Sequence, residues 1–379
     1  MGLVLTEEQT LLKQTAREFI EANSPVSELR RLRDAQEPAG IDRKLWAQMV
    51  ELGWAGATLP EELDGMDLGW VEFGQLLEEC GRTLTAQPLI ASIALAGECV
   101  LRAGNDAQRT ALLAPIARGE KLLALAHQEG PHYAPFEVAT RATANGNGFQ
   151  LDGSKTLVLD GHIADHLIVV ARSSGETGDR AGLSLFVVNP TAAGVKITRT
   201  VLIDGRNAAK VELADVAVGA DALLGEVGQG AEALEAALDR GTAALCAEMV
   251  GSMSAAFEKT TEYLRTREQF GVPIGSFQAL KHRAAQMFVE LELTRSIVLD
   301  ALTALDEDRK NASQLVSCAK ARCNDSIFLI GNESVQMHGG IGVTDEEDIG
   351  LYLKRARVTQ FTLGHSAHHR ERFAQLEGF

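Results

Sequence analysis

The stretch RTREQFGVPIGSFQALKHR, Arg265 to Arg283, decides how this chain is read. An apolar stripe leads into it at helical spacing through Leu234, Leu238, Leu245, Met249, Met253, Phe257 and Leu264. The chain breaks at Gly271, Pro273 and Gly275. A second stripe then runs through Phe277, Leu280, Ala284, Met287, Leu291, Val298 and Leu302. Two long helices on a short link predict antiparallel neighbours, and Ser313–Met337 and Ile349–Phe361 add a third and fourth, completing a four-helix bundle. Arg267 falls in a last helical turn, where its ordinary role is to offset the helix dipole.

Upstream of the bundle the period changes. From about Leu122 to Val218 come short β-branched runs such as HLIVVARS, LSLFVV and VKITRTVLI. The turn dipeptides Asn145-Gly146, Asp152-Gly153 and Asp204-Gly205 punctuate this region. It reads as an antiparallel β-barrel or sandwich. From Thr6 to about Gly119 the pattern is helical again, with stripes at Leu12, Ala16, Phe19, Ile20 and at Leu45, Trp46, Met49, Val50. The expected organisation is a helical domain over 1–120, a β domain over 121–225 and the bundle over 226–379.

Composition narrows the function classes. At 45% hydrophobic and 23% charged the chain is an ordinary globular protein, and 379 residues suffice for two or three domains. A net charge of −16 with no basic run argues against nucleic acid and against anionic membranes. Five scattered cysteines, without a CxxC pair, suit reduced thiols in a cytoplasmic protein. The apolar run Leu89–Leu101 is too short to span a bilayer, and no charged-then-apolar leader opens the chain. MGLVLT fits the loose N-myristoylation pattern at Gly2, but Thr6 and Gln9 make a capping box for a first helix, which is the simpler reading.

A second glycine-rich segment, QMHGGIGVT (Gln336–Thr344), ends the third bundle helix. Alone, such a segment reads as a helix C-cap before it reads as a phosphate cradle. Together with Arg267–Gln278 it resembles the flavin motifs of the acyl-CoA dehydrogenase family. LGWAGATLPEELDGMDLG (Leu52–Gly69), KTLVLDGHIAD (Lys155–Asp165) and LYLKRAR (Leu351–Arg357) resemble that family's N-terminal, middle and final-helix segments, so the resemblance spans essentially the whole chain.

The resemblance implies FAD. It places Arg267 and Phe270, with Phe277 and Gln278, at the pyrophosphate and adenosine side, and Gln336, Gly339 and Gly340 on the same cofactor across a dimer interface. A guanidinium and exposed backbone N–H groups suit a diphosphate. It also implies a dimer of dimers or a hetero-oligomer with a homologous subunit, an electron-transfer flavoprotein or similar acceptor, and a place in lipid catabolism. At the flavin ring the family's Trp-Ile-Thr is replaced by Leu157, Val158 and Leu159, and its Thr-Glu-Pro loop by Gln128-Glu129-Gly130.

The family's reaction is α,β-dehydrogenation of an acyl-CoA thioester, in which a carboxylate removes the α proton and the thioester oxygen is polarised by hydrogen bonds. Its two usual positions for that carboxylate correspond here to Leu363 and Gly241, and neither is an acid. Glu248 lies seven residues beyond Gly241, nearly two turns on and about 10 Å along the same helix face. Apolar neighbours raise a carboxyl pKa, as a base requires, whereas a partner between helices would make it structural.

The histidines of TLGHSAHHRER (Thr362–Arg372) raise a metal question, but no Cys, Asp or Glu stands at ligand spacing beside them, so no metal is expected. The resemblance instead puts His365 and Ser366 against the cofactor, with His365 a further base candidate. Two readings follow. One is an FAD-dependent acyl-CoA dehydrogenase with a relocated base and room at Gly241 for a bulky or branched acyl group. The other is a subunit of a heteromeric dehydrogenase whose partner supplies the Glu. Oxidase or nitroalkane-type chemistry on the same fold is a third, more distant class.

Overall fold

A computed structural model describes residues 4–379. Gly2 and its lipidation pattern lie outside them. The capping box is present: Thr6 Oγ1 accepts from Gln9 N at 3.2 Å and Gln9 Oε1 accepts from Thr6 N at 2.9 Å.

Six helices come first: α1 Glu7–Asn23, α2 Val26–Asp34, α3 Arg43–Glu51, α4 Trp70–Arg82, α5 Glu98–Ala103 and α6 Asp106–Ala117. The strands β1 Leu123–Ala126, β2 Arg141–Asn145, β3 Gly148–Leu159, β4 His166–Arg172, β5 Leu183–Val188, β6 Val195–Val201, β7 Asn207–Gly219 and β8 Leu223–Leu224 follow. The last third holds α7 Ala231–Thr266, a hairpin of β9 Glu268–Gln269 and β10 Val272–Pro273, then α8 Gln278–Asp306, α9 Ala312–His338, α10 Ile349–Phe361 and α11 Ser366–Glu377.

The helical, β, helical order matches the sequence pattern, but compactness cuts across it. One unit gathers the residues up to Asp34 with Trp70–Ala86 and Thr242–Phe379; the other is Ala35–Gly69 with Gln87–Gly241. The cause is α1, α2 and α4, whose apolar stripes complete the bundle rather than a separate helical core.

In the first unit α4 and α7 cross in backbone contact. A Cβ on Gly81 would stand 2.0 Å from Glu248 O, and one on Gly251 would stand 1.8 Å from Glu78 O. Only hydrogen fits at either place. The crossing buries Glu78 and Glu79 of α4, and each is paired: Glu78 with Lys13 at 2.7 Å and with Arg295, Glu79 with Arg17 at 2.9 Å and Arg82 at 3.5 Å. Burial pushes the Glu78 carboxyl up, but Arg295 and Lys13 hold it below its ordinary value. At the other end of α4, Asp306 from the end of α8 accepts from Trp70 N at 2.5 Å and Val71 N at 3.0 Å, a tertiary N-cap.

The second unit is built on one sheet in the order β6-β7-β3-β2-β4-β5-β8, with β1 beside β4. It is antiparallel except at β4, which pairs parallel with β1 and, at Arg141↔Arg172, with β2. Leu151, Leu167, Val169, Phe186, Val211 and Val216 fill its core. A buried π-helical turn, Ile90–Gly97, packs on β1, where Ser92 Oγ accepts from Leu123 N at 2.8 Å. No helix of the described residues is long and apolar enough to cross a membrane.

Gly81→Ala tests the crossing. With a methyl forced against a backbone carbonyl, urea denaturation is expected to show a loss of about 3 kcal/mol or more. A loss under about 1 kcal/mol, the scale of an ordinary surface change, would mean that the two helices are not in backbone contact.

Candidate cofactor and acyl-thioester site

The hairpin after α7 is closed by Val272↔Gln269 and by Ile274 N donating to Arg267 O at 2.8 Å. Its two central residues, Phe270 and Gly271, have φ of +56° and +79°, as a tight two-residue β-turn demands. That conformation throws Phe270 outward, 92% exposed, with Phe277 edge-on at 6.1 Å. Arg267 and Gln278 are exposed beside it, and among the described residues the Arg267 guanidinium has no hydrogen bond or ion pair. A large exposed aromatic and a free cation on so acidic a chain form a surface made to be covered.

The glycine-rich end of α9 faces the same region. Gly339 has φ +65°, and a Cβ on Gly339 or Gly340 would meet nothing within 4 Å, so both backbones stand open. Gly342 is closed instead: a Cβ there would stand 2.8 Å from Val335 O. Gln336 is exposed. His338, the last residue of α9, stacks on Tyr263 with ring centroids 4.5 Å apart. Tyr263 O in turn accepts from Arg267 N at 2.9 Å. The two flavin motifs therefore meet at one end of the bundle within one chain. The α7/α9 stack brings the two segments together, and a helical spacing pattern does not show which helix ends coincide.

Neither position to which the resemblance assigns the base carries an acid. Gly241 is buried within α7. Leu363 is buried in the turn between α10 and α11 and holds φ +57°, unusual for a branched side chain. Among the described residues its N–H donates to no protein acceptor. Glu248 is fully buried, and its Oε1 accepts from Arg355 Nη1 at 3.0 Å; Arg355 also reaches Leu84 O at 3.4 Å. The carboxylate thus has the interhelical partner that a structural role predicts.

The three histidines do three different things. His365 caps α11, its Nδ1 accepting from His368 N at 3.2 Å, and Ser366 donates to Asp325 at 2.7 Å. His369 is buried and donates through Nε2 to Leu363 O at 2.7 Å, which fixes its neutral tautomer. Burial, then Lys320, His368 and Arg372, press it down to about 3, with the Leu363 bond opposing. Burial and the neighbouring charges press His368 to about 4. Among the described residues no group of three or more His, Cys, Asp or Glu is arranged to hold a metal.

In the second unit Leu157 sits at a register shift between β3 and β7, with φ +50° and 44% exposed, and Leu159 is half-buried. Sequence reasoning missed what lies next to them. Lys155 is fully buried and donates to Glu129 at 2.6 Å. Glu129 also accepts from Ala139 N at 2.7 Å and Thr140 N at 2.9 Å, pinning the loop that replaces the family's Thr-Glu-Pro segment. Burial opposes the charge, yet Lys155 and Thr140 hold Glu129 below its ordinary value; Lys155 is itself pressed to about 8 by burial. The sequence carries no signal for it, because only the sheet shows that Lys155 faces inward.

Comparison with known proteins accounts for this arrangement. Residues 6–120, 127–216 and 228–376 match the N-terminal, middle and C-terminal domains of acyl-CoA dehydrogenase. The chain belongs to the acyl-CoA dehydrogenase family. It is 28% identical to a 3-(aryl)acrylate reductase of Clostridium sporogenes over 94% of each chain. It superposes on butyryl-CoA dehydrogenase of Megasphaera elsdenii with a TM-score of 0.89, at 25% identity over 99% of each chain. It superposes on a chain of the ChsE4-ChsE5 complex of Mycobacterium tuberculosis with a TM-score of 0.90, at 26% identity over 100% of each. The family is one of FAD-dependent oxidoreductases acting on acyl-CoA, and its cofactor is FAD. The residues present fit the diphosphate end of that group: an unpaired guanidinium, two exposed aromatic rings and an open pair of glycine backbones.

Two measurements follow. Arg267→Ala is expected to yield protein that loses flavin on gel filtration, read from absorbance per subunit; full retention would remove Arg267 from the cofactor site. For His369, the folded state holds the imidazole neutral to about pH 3, whereas the unfolded chain protonates near the ordinary value of 6.5. The unfolded state therefore binds more protons across that window, and stability falls as pH drops through 6.5. The loss attributable to His369 is about 2 kcal/mol at pH 5 relative to pH 7. His369→Gln, which keeps a neutral donor, should flatten the urea-midpoint profile between those pH values, and an unchanged slope would contradict the assignment.

Proposed function

We propose that this chain is a subunit of an FAD-dependent acyl-CoA dehydrogenase assembly in which the proton-abstracting carboxylate belongs to a homologous partner subunit. The observation that carries the proposal is the fate of the acid. Leu363 and Gly241 stand at the two family positions, and the nearby buried Glu248 is held by Arg355. A base must present a free lone pair to the substrate α carbon, and a carboxylate facing a buried guanidinium is poorly placed to accept that proton.

In this reading Arg267, Phe270, Phe277, Gln278, Gln336, Gly339 and Gly340 hold the FAD diphosphate and adenosine. The resemblance assigns flavin contact to Leu157 and Leu159 of one unit and, separately, to His365 and Ser366 of the other. FAD, when bound, supplies the acceptor for the hydride leaving the substrate β carbon. The unpaired Leu363 N–H binds the thioester oxygen and so acidifies the α proton. Exposed Phe288, Val289, Leu293, Phe328 and Phe361 on the bundle helices supply the apolar surface for subunit contacts. An electron-transfer flavoprotein or similar protein would take the electrons.

A second reading keeps the base in this chain, at Glu248. The readings separate by flavin bleaching with a panel of acyl-CoAs. The lone chain should stay oxidised and gain turnover when mixed with a homologous Glu-bearing subunit. Bleaching by the lone chain that Glu248→Gln abolishes would establish the second reading instead. Bleaching that survives Glu248→Gln would refute both and return attention to His365.

Leu363→Glu supplies an independent check, because it puts a carboxylate back on the turn. It should raise lone-chain flavin reduction on the order of 100-fold or more. A folded, FAD-bearing Leu363→Glu variant that remains inert would mean the turn does not meet the acyl α carbon.

A further inference from the structure

The proposed function above leaves a buried lysine of α9 unused. Lys320, in the middle of α9, is 0% exposed, and among the described residues its ammonium faces no carboxylate. All three of its protons are spoken for: Nζ donates to Asn324 Oδ1 at 2.6 Å, to Thr359 O at 2.9 Å and to Gly364 O at 3.1 Å. Asn324 Nδ2 adds a second donor to Gly364 O at 3.2 Å. From the other side His369 Nε2 holds Leu363 O at 2.7 Å. Two consecutive carbonyls of the turn are thus gripped by three side chains from α9 and α11.

An ammonium buried among neutral oxygens is an expensive way to satisfy helix-end carbonyls. Burial lowers its pKa to about 8. What the arrangement achieves is orientation. Leu363 stays in the left-handed region, φ +57°, which disfavours a residue carrying a Cβ. With its carbonyl and the next one fixed, the polar group of Leu363 left without a partner among the described residues is its N–H.

We infer that Lys320 is a positioning residue: with Asn324 and His369 it clamps the Leu363–Gly364 turn so that the Leu363 N–H meets a thioester carbonyl. The inference rests on the acyl-thioester reading of the turn given above. It concerns how that donor is held, not where the base lies.

The test separates carbonyl recognition from general integrity. The FAD-loaded chain is titrated calorimetrically with butyryl-CoA and 3-phenylpropionyl-CoA, and with the matching alkyl-CoA thioethers, which lack the carbonyl. The wild-type chain is expected to prefer at least one thioester over its thioether by about tenfold. Lys320→Met should reduce that preference to roughly twofold or less while leaving the thioether Kd nearly unchanged. Asn324→Ala, which removes one donor and leaves the ammonium, should lower it partway and stands in if Lys320→Met fails to fold. A preference that survives both substitutions overturns the clamp. Thioester and thioether weakening together shows a merely structural role and overturns it as well. Equal wild-type affinity for the two probes removes the Leu363 donor and the clamp with it. Binding of neither probe sinks the acyl-thioester reading of the turn itself, whereas the partner-subunit reading is decided separately by the gain of turnover on mixing.

Discussion

The close crossing of α4 and α7 is the constraint on which the helical unit depends. Gly81 against Glu248 O and Gly251 against Glu78 O leave no room for a methyl. Helices that usually pack 8–10 Å apart approach nearer only where side chains are absent. The approach also brings the charged groups of α4 to the inner face of the unit. Glu78 and Glu79 are tolerable there because cations from α1 and α8 and the end of α4 close on them. Small residues set the geometry, and the geometry then dictates where ion pairs must form.

The same logic explains why Glu248 and Lys320 differ although both are fully buried. Removing one member of a buried pair strands the other charge, which is why Glu248 and Arg355 are best understood together. Among the described residues Lys320 faces no carboxylate to be stranded from. Its charge is spread over carbonyl and amide oxygens of its own helix, of α10 and of the turn it restrains. One buried charge locks helices to each other; the other fixes the shape of a turn.

Much of the fold was legible because it is written locally. The change from a 3.6 to a 2-residue period marks the β region, and glycine and proline mark the bundle link. The residues proposed for the flavin side, Arg267, Phe270 and the glycines of Gln336–Thr344, also lie in two short contiguous motifs. What escaped were relations between distant residues. Glu248 and Arg355 are 107 positions apart, Lys320 and Gly364 are 44 apart, and neither spacing carries a signal. The meeting of Tyr263 with His338 belongs to the same class. Lys155 was hidden differently: a lysine in a strand reads as solvent-facing until the sheet shows which side is inside.

At the turn between α10 and α11, scaffold and chemistry come apart. Leu363 carries no group that can accept a proton, yet it keeps the strained backbone that a catalytic loop uses to aim a residue. If the turn were only a connection, glycine at 363 would adopt that φ without strain, and no buried ammonium would be needed to hold the carbonyls beyond it. The strain and the buried charge both oppose folding. Their joint presence at one turn fits the proposed binding of a thioester carbonyl there, whichever subunit removes the proton.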